Sequence, residues 1–429
     1  MVDEADAPVA LPPVTVREPA RFTYPAVTAA DSAALMQPAG NVVRGTTSLR
    51  HPPSLPAPGK TRFARPVPIA SSIRQSDNPD SIRQRKYLTG THFLVDAVEN
   101  EVARTPRTLV WAQGKARLYR YGTGANDRLP VPLLLVYALI LRPYILDLVP
   151  RRSLVEALVA RGFDVYLLDW GVPGKGDAEL GLDDYVASYL PAAVCRIMEL
   201  SSAPQVSMIG YCQGGTIATT YAGLFPESVR NLVLLGAPII FDPPSNSEAG
   251  FWTIWARQLT EPEYVTGHTG NVPANVLSSY VRAATRTLVT MTGTSNVFAL
   301  MHERLQRDEA LRAWLAVCRW VDDAVPFPGR AFRQWIRSFY QGNLLASGRL
   351  RVRGRTALSQ ISASVLNIAG SQDSVTPLWQ SGHTTDLIGS EDTQSLIVDA
   401  GHVGLVVGPN AKQDVWEPMM AWLVERSEP

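Results

Sequence analysis

The sequence predicts an α/β fold built around a mostly parallel β-sheet, and three observations lead to that prediction. Continuous apolar runs such as PLLLVYAL (132–139) and NLVLLGAPII (231–240) are typical of strands buried on both faces. Segments with helical apolar spacing, such as RSLVEALVARG (152–162), lie between such runs. Strands that alternate with helices imply right-handed crossovers and therefore parallel strand pairs.

The other elements follow in the order that such a sheet requires. TLVWAQGKARLYRYG (108–122) has the pattern of a β-hairpin. The helix at 152–162 ends at a glycine, a common helix stop. Further strands are predicted at 163–170, 205–211, 363–370 and 395–400, and further helices at 181–200 and 214–225.

Two parts of the chain do not fit this alternation. Residues 241–362 are rich in Trp, Tyr and Phe, whereas a crossover between parallel strands needs only about a dozen residues. We therefore expect an inserted, largely helical cap there, with the α/β core at 91–240 and 363–429. Residues 1–90 hold 13 of the 33 prolines and little apolar periodicity, which predicts a disordered or loosely attached extension.

Composition narrows the class of protein and its compartment. The formal net charge of +1 argues against a nucleic-acid partner. The three cysteines are widely spaced without a CxxC pair, as in a reducing compartment, and no metal-spaced His/Cys cluster is present. The start MVDEADAPVALPPV lacks the basic and apolar regions of a signal peptide, and the longest apolar run is too short to span a bilayer. These features predict a cytoplasmic protein.

The stretch MIGYCQGGT (208–216) carries the strongest chemical signal. Its Gly-x-Cys-x-Gly pattern lies between a predicted strand and a predicted helix, which is the context of the nucleophile elbow in the α/β-hydrolase fold. Cys212 is the expected nucleophile, and the backbone N–H of Gln213 is one expected oxyanion donor. The second donor is expected from the loop after the strand at 132–139, at Ala138 or Leu139.

The acid and the base should follow the nucleophile in that order. His402 follows the strand at 395–400, whereas His268 and His302 fall in the insertion and His383 in a helix after the strand at 363–370. Asp373 directly follows a buried strand and is the favoured acid, with Asp242 and Asp399 as alternatives. Such a carboxylate fixes the tautomer of the histidine and stabilises its imidazolium form.

Cysteine in place of serine favours acyl transfer from a thioester. Transfer of an acyl group from one thioester to another is nearly isoenergetic, and a thiol is a strong nucleophile near neutral pH. The other cysteines, Cys195 and Cys318, fit small buried hydrophobes. Asp169, at the end of a strand, is expected to fix a loop.

From about Thr105 onward the chain resembles the polyhydroxyalkanoate synthases, most closely the catalytic subunit of the two-subunit class III type. Several separated segments carry the resemblance: TPRTLVWAQGKARLYRY, RSLVEALVARGFDVYLLDWG, GYCQGGT, WVDDAVPFPGRAFRQWIRSFYQGN, VLNIAGSQDSVTP and GHVGLVVG. The chain departs from the family pattern at Leu141, where asparagine is usual, and at Gly408, where serine is common.

The resemblance implies a function and a set of partners. Cys212 would carry the growing chain, with Asp373 as the acid and His402 as the base. The donor would be an (R)-3-hydroxyacyl-CoA, a substrate rather than a cofactor, and the products a polyester and free CoA. The resemblance also implies a second, non-catalytic synthase subunit (PhaE-like), a homo-oligomer, and a location at the surface of polyester granules rather than at a membrane.

Two other functions remain open from the sequence. A thioesterase or lactone hydrolase could use the same cysteine elbow. An inactive, granule-associated interaction protein could keep the fold without the reaction, although the complete set of three residues argues against it.

Overall fold

The computed structural model describes residues 102–122, 128–245, 251–258, 275–276, 278–291, 308–354 and 358–427. These residues belong to one compact unit within 76–429. The predicted extension at 1–90 lies outside the described residues. The hairpin, the parallel strands and the intervening helices that the sequence predicted are confirmed, which gives an α/β-hydrolase fold.

An eight-stranded sheet forms the centre of the molecule, in the order β1-β2-β6-β3-β7-β8-β9-β10. β1 and β2 form the predicted antiparallel hairpin, and the strands from β6 to β10 pair in parallel. β4 and β5 form a separate small pair. The strands are β1 (Arg107–Gln113), β2 (Ala116–Tyr121), β3 (Leu133–Val136), β4 (Asp147–Val149), β5 (Arg152–Ser153), β6 (Val165–Asp169), β7 (Val206–Tyr211), β8 (Val229–Leu235), β9 (Ser364–Gly370) and β10 (Thr393–Val398).

The continuous apolar runs arise because the central strands are covered on both faces. In β3, Leu134 and Val136 join the hydrophobic cluster on one face of the sheet, while Leu133 and Leu135 join the cluster on the other. All four side chains are fully buried. Successive side chains of the strand therefore pack into the hydrophobic cores on opposite faces of the sheet. For this reason the strand sequence does not alternate between polar and apolar residues.

Helices cover both faces and also fill much of the stretch between β8 and β9. They are α1 (Leu154–Ala160), α2 (Leu182–Asp184), α3 (Leu190–Ser201), α4 (Gln213–Leu224), α5 (Phe251–Gln258), α6 (Ser278–Met291), α7 (Asp308–Asp322), α8 (Gly329–Gln334), α9 (Leu378–Ser381), α10 (Gly404–Val407) and α11 (Glu417–Glu425). Short π-helical turns at Tyr185–Tyr189, Trp335–Gln341 and Lys412–Trp416 adjoin α2, α8 and α11. Among the helices described, none has both the length and the apolar character needed to cross a bilayer.

The insertion is attached to the loop that follows β3. The indole Nε1 of Trp320 donates to the carbonyl of Arg142 at 2.8 Å, and the N–H of Val325 donates to the carbonyl of Ile140 at 3.1 Å. The hydroxyl of Tyr144 donates to Asp323 at 2.8 Å. Helix α7 and the residues that follow it thus fix the position of the loop after β3 through these hydrogen bonds.

Candidate active site

Cys212 occupies a strained turn between β7 and α4. Its backbone has φ of 55° and ψ of −130°, a conformation that costs a residue with a side chain about 1–3 kcal/mol. The turn directs the side chain away from the regular path of strand and helix. This geometry is that of a nucleophile elbow, as the sequence predicted.

The glycines on either side of Cys212 permit this turn. A Cβ atom on Gly210 would lie 2.5 Å from the Cα of Gly215, and one on Gly214 would lie 2.1 Å from the carbonyl oxygen of Val136. Neither distance leaves room for a side chain against backbone. The first turn of α4 consequently packs directly on β7 and β3.

Asp373 and His402 meet at the same edge of the sheet. Asp373 follows β9 and His402 follows β10, and the carboxyl ends of these parallel strands are neighbours. The Oδ2 atom of Asp373 lies 2.7 Å from the Nδ1 atom of His402. Asp373 and His402 are 5% and 6% exposed, so the pair is shielded from water. Nδ1 is occupied, which leaves Nε2 as the ring nitrogen available to another partner.

Backbone and hydroxyl donors fix the Asp373 carboxylate. Its Oδ1 atom accepts hydrogen bonds from the N–H groups of Val375 at 2.9 Å and Thr376 at 2.8 Å. The hydroxyl of Thr376 donates to Oδ2 at 2.7 Å. These three donors fix the orientation of the carboxylate, so that Oδ2 faces His402. Sequence reasoning missed this role of Thr376. Only its position, three residues after Asp373, could have suggested it.

His402 interacts with both expected partners. Burial on its own would lower the pKa of His402, but the nearby Asp373 carboxylate and the nearby Cys212 side chain raise this pKa to about 10. The raised pKa favours the protonated form of the ring beside the Asp373 carboxylate. Cys212 thus lies near a buried His402–Asp373 pair, an arrangement that suits a nucleophile, a base and an acid.

Tyr211 fixes the His402 loop to the elbow strand. Its ring stacks on the imidazole with centroids 5.1 Å apart, and its hydroxyl donates to the His402 carbonyl at 3.1 Å. Burial first, and the neighbouring Tyr137, Cys212 and Asp373 in addition, raise the pKa of Tyr211 well above its usual value, which keeps the phenol protonated. Sequence reasoning missed this residue because its apolar neighbours mark it only as a strand residue.

The loop after β3 lies against the first residue of α4. The N–H of Leu139 donates to the side-chain Oε1 of Gln213 at 3.2 Å. The N–H of Gln213 is at the first position of a helix, where backbone donors lack an intrahelical acceptor. Since Leu139 is engaged by this side chain, Ala138 is the better of the two predicted second donors.

The alternative acids lie elsewhere. Asp242 pairs with Arg257 at 2.6 Å and is exposed. Asp399 is also exposed and accepts a hydrogen bond from Ser371 at 3.2 Å. Asp169 accepts from the N–H of Gly171 at 2.9 Å and thereby fixes its loop, as expected.

Among the other histidines and cysteines, two predictions are wrong. His383 lies beyond the end of α9 rather than within a helix, and its exposed ring is near Asp386. Cys195 was expected to be buried but is exposed on α3, whereas Cys318 is partly buried. His268 and His302 lie outside the described residues.

The surroundings of Leu141 and Gly408 explain why the chain departs from the family pattern at these two positions. Leu141 is buried in the hydrophobic cluster on one face of the sheet, where an apolar side chain fits. A Cβ atom on Gly408 would lie 2.4 Å from the carbonyl oxygen of Gly404, so a serine would require the end of α10 to shift.

Comparison with known protein families supports the α/β-hydrolase fold. A family profile described as "alpha/beta hydrolase fold" matches residues 131–409. An esterase structure from Thermogutta terrifontis is similar to the chain at 16% identity and a TM-score of 0.43, covering 76% of this chain and 100% of the esterase. That likeness is too distant to bear on activity.

Two curated relatives are much more similar in sequence. "Poly(3-hydroxyalkanoate) polymerase subunit PhaC" of Allochromatium vinosum is 33% identical over 81% of this chain and 98% of its own length. The protein of the same name in Haloferax mediterranei is 35% identical over 77% of this chain and 66% of its own length. The chain belongs to the family of poly(3-hydroxyalkanoate) polymerase subunits PhaC, within the α/β-hydrolase fold.

Proposed function

We propose that this chain polymerises (R)-3-hydroxyacyl-CoA into a polyester, with release of CoA, through an acyl thioester on Cys212. The observation that carries the proposal is the buried Asp373–His402 contact of 2.7 Å, joined to a cysteine on a strained elbow. The similarity to polymerase subunits supports the choice of substrate. The CoA thioester is a substrate, and the reaction as proposed needs no cofactor.

In acylation, the thiol proton of Cys212 passes to His402 as the sulfur attacks. The Cys212 sulfur attacks the carbonyl carbon of the acyl-CoA, and the oxyanion that forms accepts hydrogen bonds from the N–H groups of Gln213 and Ala138. The bond from this carbon to the CoA sulfur then breaks, and the proton held by His402 passes to that sulfur. One thioester replaces another, so the step conserves the activation of the acyl group.

Elongation depends more strongly on the base than acylation does, because a hydroxyl group is a weaker acid than a thiol. His402 removes the proton of a 3-hydroxyl group, whose oxygen attacks the carbonyl carbon of a second acyl thioester. An ester bond forms, the thioester bond breaks, and the released sulfur takes the proton. Asp373 stabilises the imidazolium in between, which is why its position at Nδ1 matters most in this step.

The surroundings of the reaction are also proposals. We place the enzyme in the cytoplasm, at the surface of the polyester granules that it makes. A second, non-catalytic synthase subunit (PhaE-like) and self-association are the expected partners. The expectation of a second subunit rests on the resemblance to the two-subunit type and on the word "subunit" in the names of the relatives.

Intact-mass spectrometry tests the proposal. The full chain is mixed with (R)-3-hydroxybutyryl-CoA, with and without a candidate second subunit. Cys212→Ala is the test variant, and Cys195→Ala, at an exposed thiol on α3, is the matched control. A ladder of hydroxyacyl units on the wild type and on Cys195→Ala, absent from Cys212→Ala, is the expected result.

Other outcomes would point to other functions. Free hydroxy acid without a ladder would identify a thioesterase and overturn polymerisation. No CoA release under either condition would favour the inactive interaction protein. A ladder that persists in Cys212→Ala would remove Cys212 from the mechanism.

A further inference from the structure

The two peptides that flank Ala138 are each held by a side chain outside the three reacting residues. On one side, the indole Nε1 of Trp170 donates to the carbonyl oxygen of Tyr137 at 2.9 Å, and both groups are buried. On the other side, the next N–H along the chain, that of Leu139, donates to the Oε1 of Gln213. Both contacts restrain the loop that follows β3.

These two contacts determine where the Ala138 N–H points. The peptide is trans, so its C=O and N–H groups lie in one plane and point in opposite directions. Because the C=O is fixed toward Trp170, the N–H is fixed away from it. Gln213 then sets the rotation of the following peptide. The remaining rotational freedom of the Ala138 amide is small.

The same loop lies in contact with the elbow. A Cβ on Gly214 would be 2.1 Å from the Val136 carbonyl and 2.8 Å from the Cα of Tyr137, so backbone packs on backbone there. Gln213 contributes twice, since its own N–H is at the start of α4 and its side chain holds the loop. One residue thus sets the spacing between the two N–H groups.

We infer that Trp170 and Gln213 are positioning residues that orient the Ala138 N–H toward the developing oxyanion during acylation of Cys212. The inference rests on the acyl transfer proposed above and adds the residues that align its oxyanion site. Removal of an oxyanion donor typically slows the reaction by about 10²–10³-fold, so misalignment of one donor is expected to cost about 10–100-fold.

Trp170→Phe and Gln213→Met test the two contacts separately. Phenylalanine keeps an aromatic ring against Tyr185, whose ring lies edge-on to Trp170 at 5.2 Å, but lacks the N–H. Methionine keeps the length of Gln213 but lacks its carbonyl. Trp416→Phe is the matched control, because the buried Trp416 Nε1 has no acceptor among the residues that the structure describes.

Two rates on the full chain separate positioning from a general loss of structure. The first is acylation of Cys212 by p-nitrophenyl butyrate, which passes through a tetrahedral oxyanion. The second is alkylation of Cys212 by iodoacetamide, which forms no oxyanion. Both test variants should lose about 10–100-fold in acylation, with alkylation within about twofold of the wild type. Trp416→Phe should match the wild type in both rates.

Other results would overturn the inference, the proposed function or both. Acylation at the wild-type rate in Trp170→Phe and Gln213→Met would show that the contacts do not matter. A parallel fall in alkylation, or the same loss in Trp416→Phe, would show a structural effect. A wild type that reacts with the ester but not with hydroxyacyl-CoA would refute the proposed function alone, and one that reacts with neither would refute both.

Discussion

Asp373→Asn should separate the two halves of the proposed reaction. The Oδ1 position faces two backbone N–H groups at 2.8 and 2.9 Å, so the amide oxygen of an asparagine will take that place. Its NH₂ group then faces the Nδ1 of His402, 2.7 Å away in the wild type. Nδ1 must become an acceptor, the imidazole proton moves to Nε2, and the base can no longer accept a proton there.

The two steps differ in how much they depend on that base. A hydroxyl group is essentially un-ionised at neutral pH, so elongation should fall by the full cost of a wrong tautomer, about 10⁴-fold. An unassisted thiol is a few per cent thiolate at pH 7, so acylation should fall by at most about 30-fold. The ratio of the two rates should therefore change by about 300-fold or more.

Rapid-quench measurement of CoA release resolves the two steps. CoA released in the first turnover reports acylation, and the steady rate at saturating substrate reports elongation. Asp399→Asn, at an exposed carboxylate that contacts Ser371, is the matched control and should behave as the wild type. Equal losses in both steps for Asp373→Asn, or a similar loss in Asp399→Asn, would refute this division of roles.

Three further predictions concern the pair and the elbow. The pKa of His402 is raised from 6.5 to about 10, so its stabilisation is complete below pH 6.5 and is lost as pH rises toward 10. Denaturant titrations should show the stability gap between wild type and His402→Gln closing over that range; a gap that widens would contradict it. Gly214→Ala would place a Cβ 2.1 Å from a β3 carbonyl and should sharply lower the thermal midpoint, whereas Gly176→Ala, with nothing within 4 Å, should not. Thr376→Val removes a charge-assisted hydrogen bond to Asp373 and should slow elongation about tenfold, with the melting temperature as the check on folding.

The positions of the three proposed reacting residues could be predicted because each follows an apolar strand. Buried parallel strands have continuous apolar runs, and their carboxyl ends meet at one edge, so Cys212, Asp373 and His402 were expected near one another. The structure brings Asp373 and His402 to 2.7 Å, and the nearby Cys212 contributes to the raised pKa of His402. Their chemical roles stay predictions.

Side-chain contacts between distant segments could not be predicted in this way. Trp170 and Tyr211 are apolar strand-end residues in the sequence, and only the fold shows which carbonyls they reach. The expected helix at 181–200 contains a π turn at Tyr185–Tyr189. One additional residue in a turn rotates everything after it by about 100°, which a 3.6-residue period does not anticipate. The wrong placement of Cys195 fits this shift.

The proposed base, His402, follows a strand at one edge of the sheet. β10 ends the described sheet and pairs with β9 alone, and edge strands of this kind open locally at a lower free energy than central ones. The stacking and hydrogen bond from Tyr211 connect the following loop to a central strand. Heat inactivation should accordingly begin with fraying at β10, before the rest of the sheet melts. Residual activity would then report the local stability of the β10 edge, whereas a melting curve would report unfolding of the whole domain.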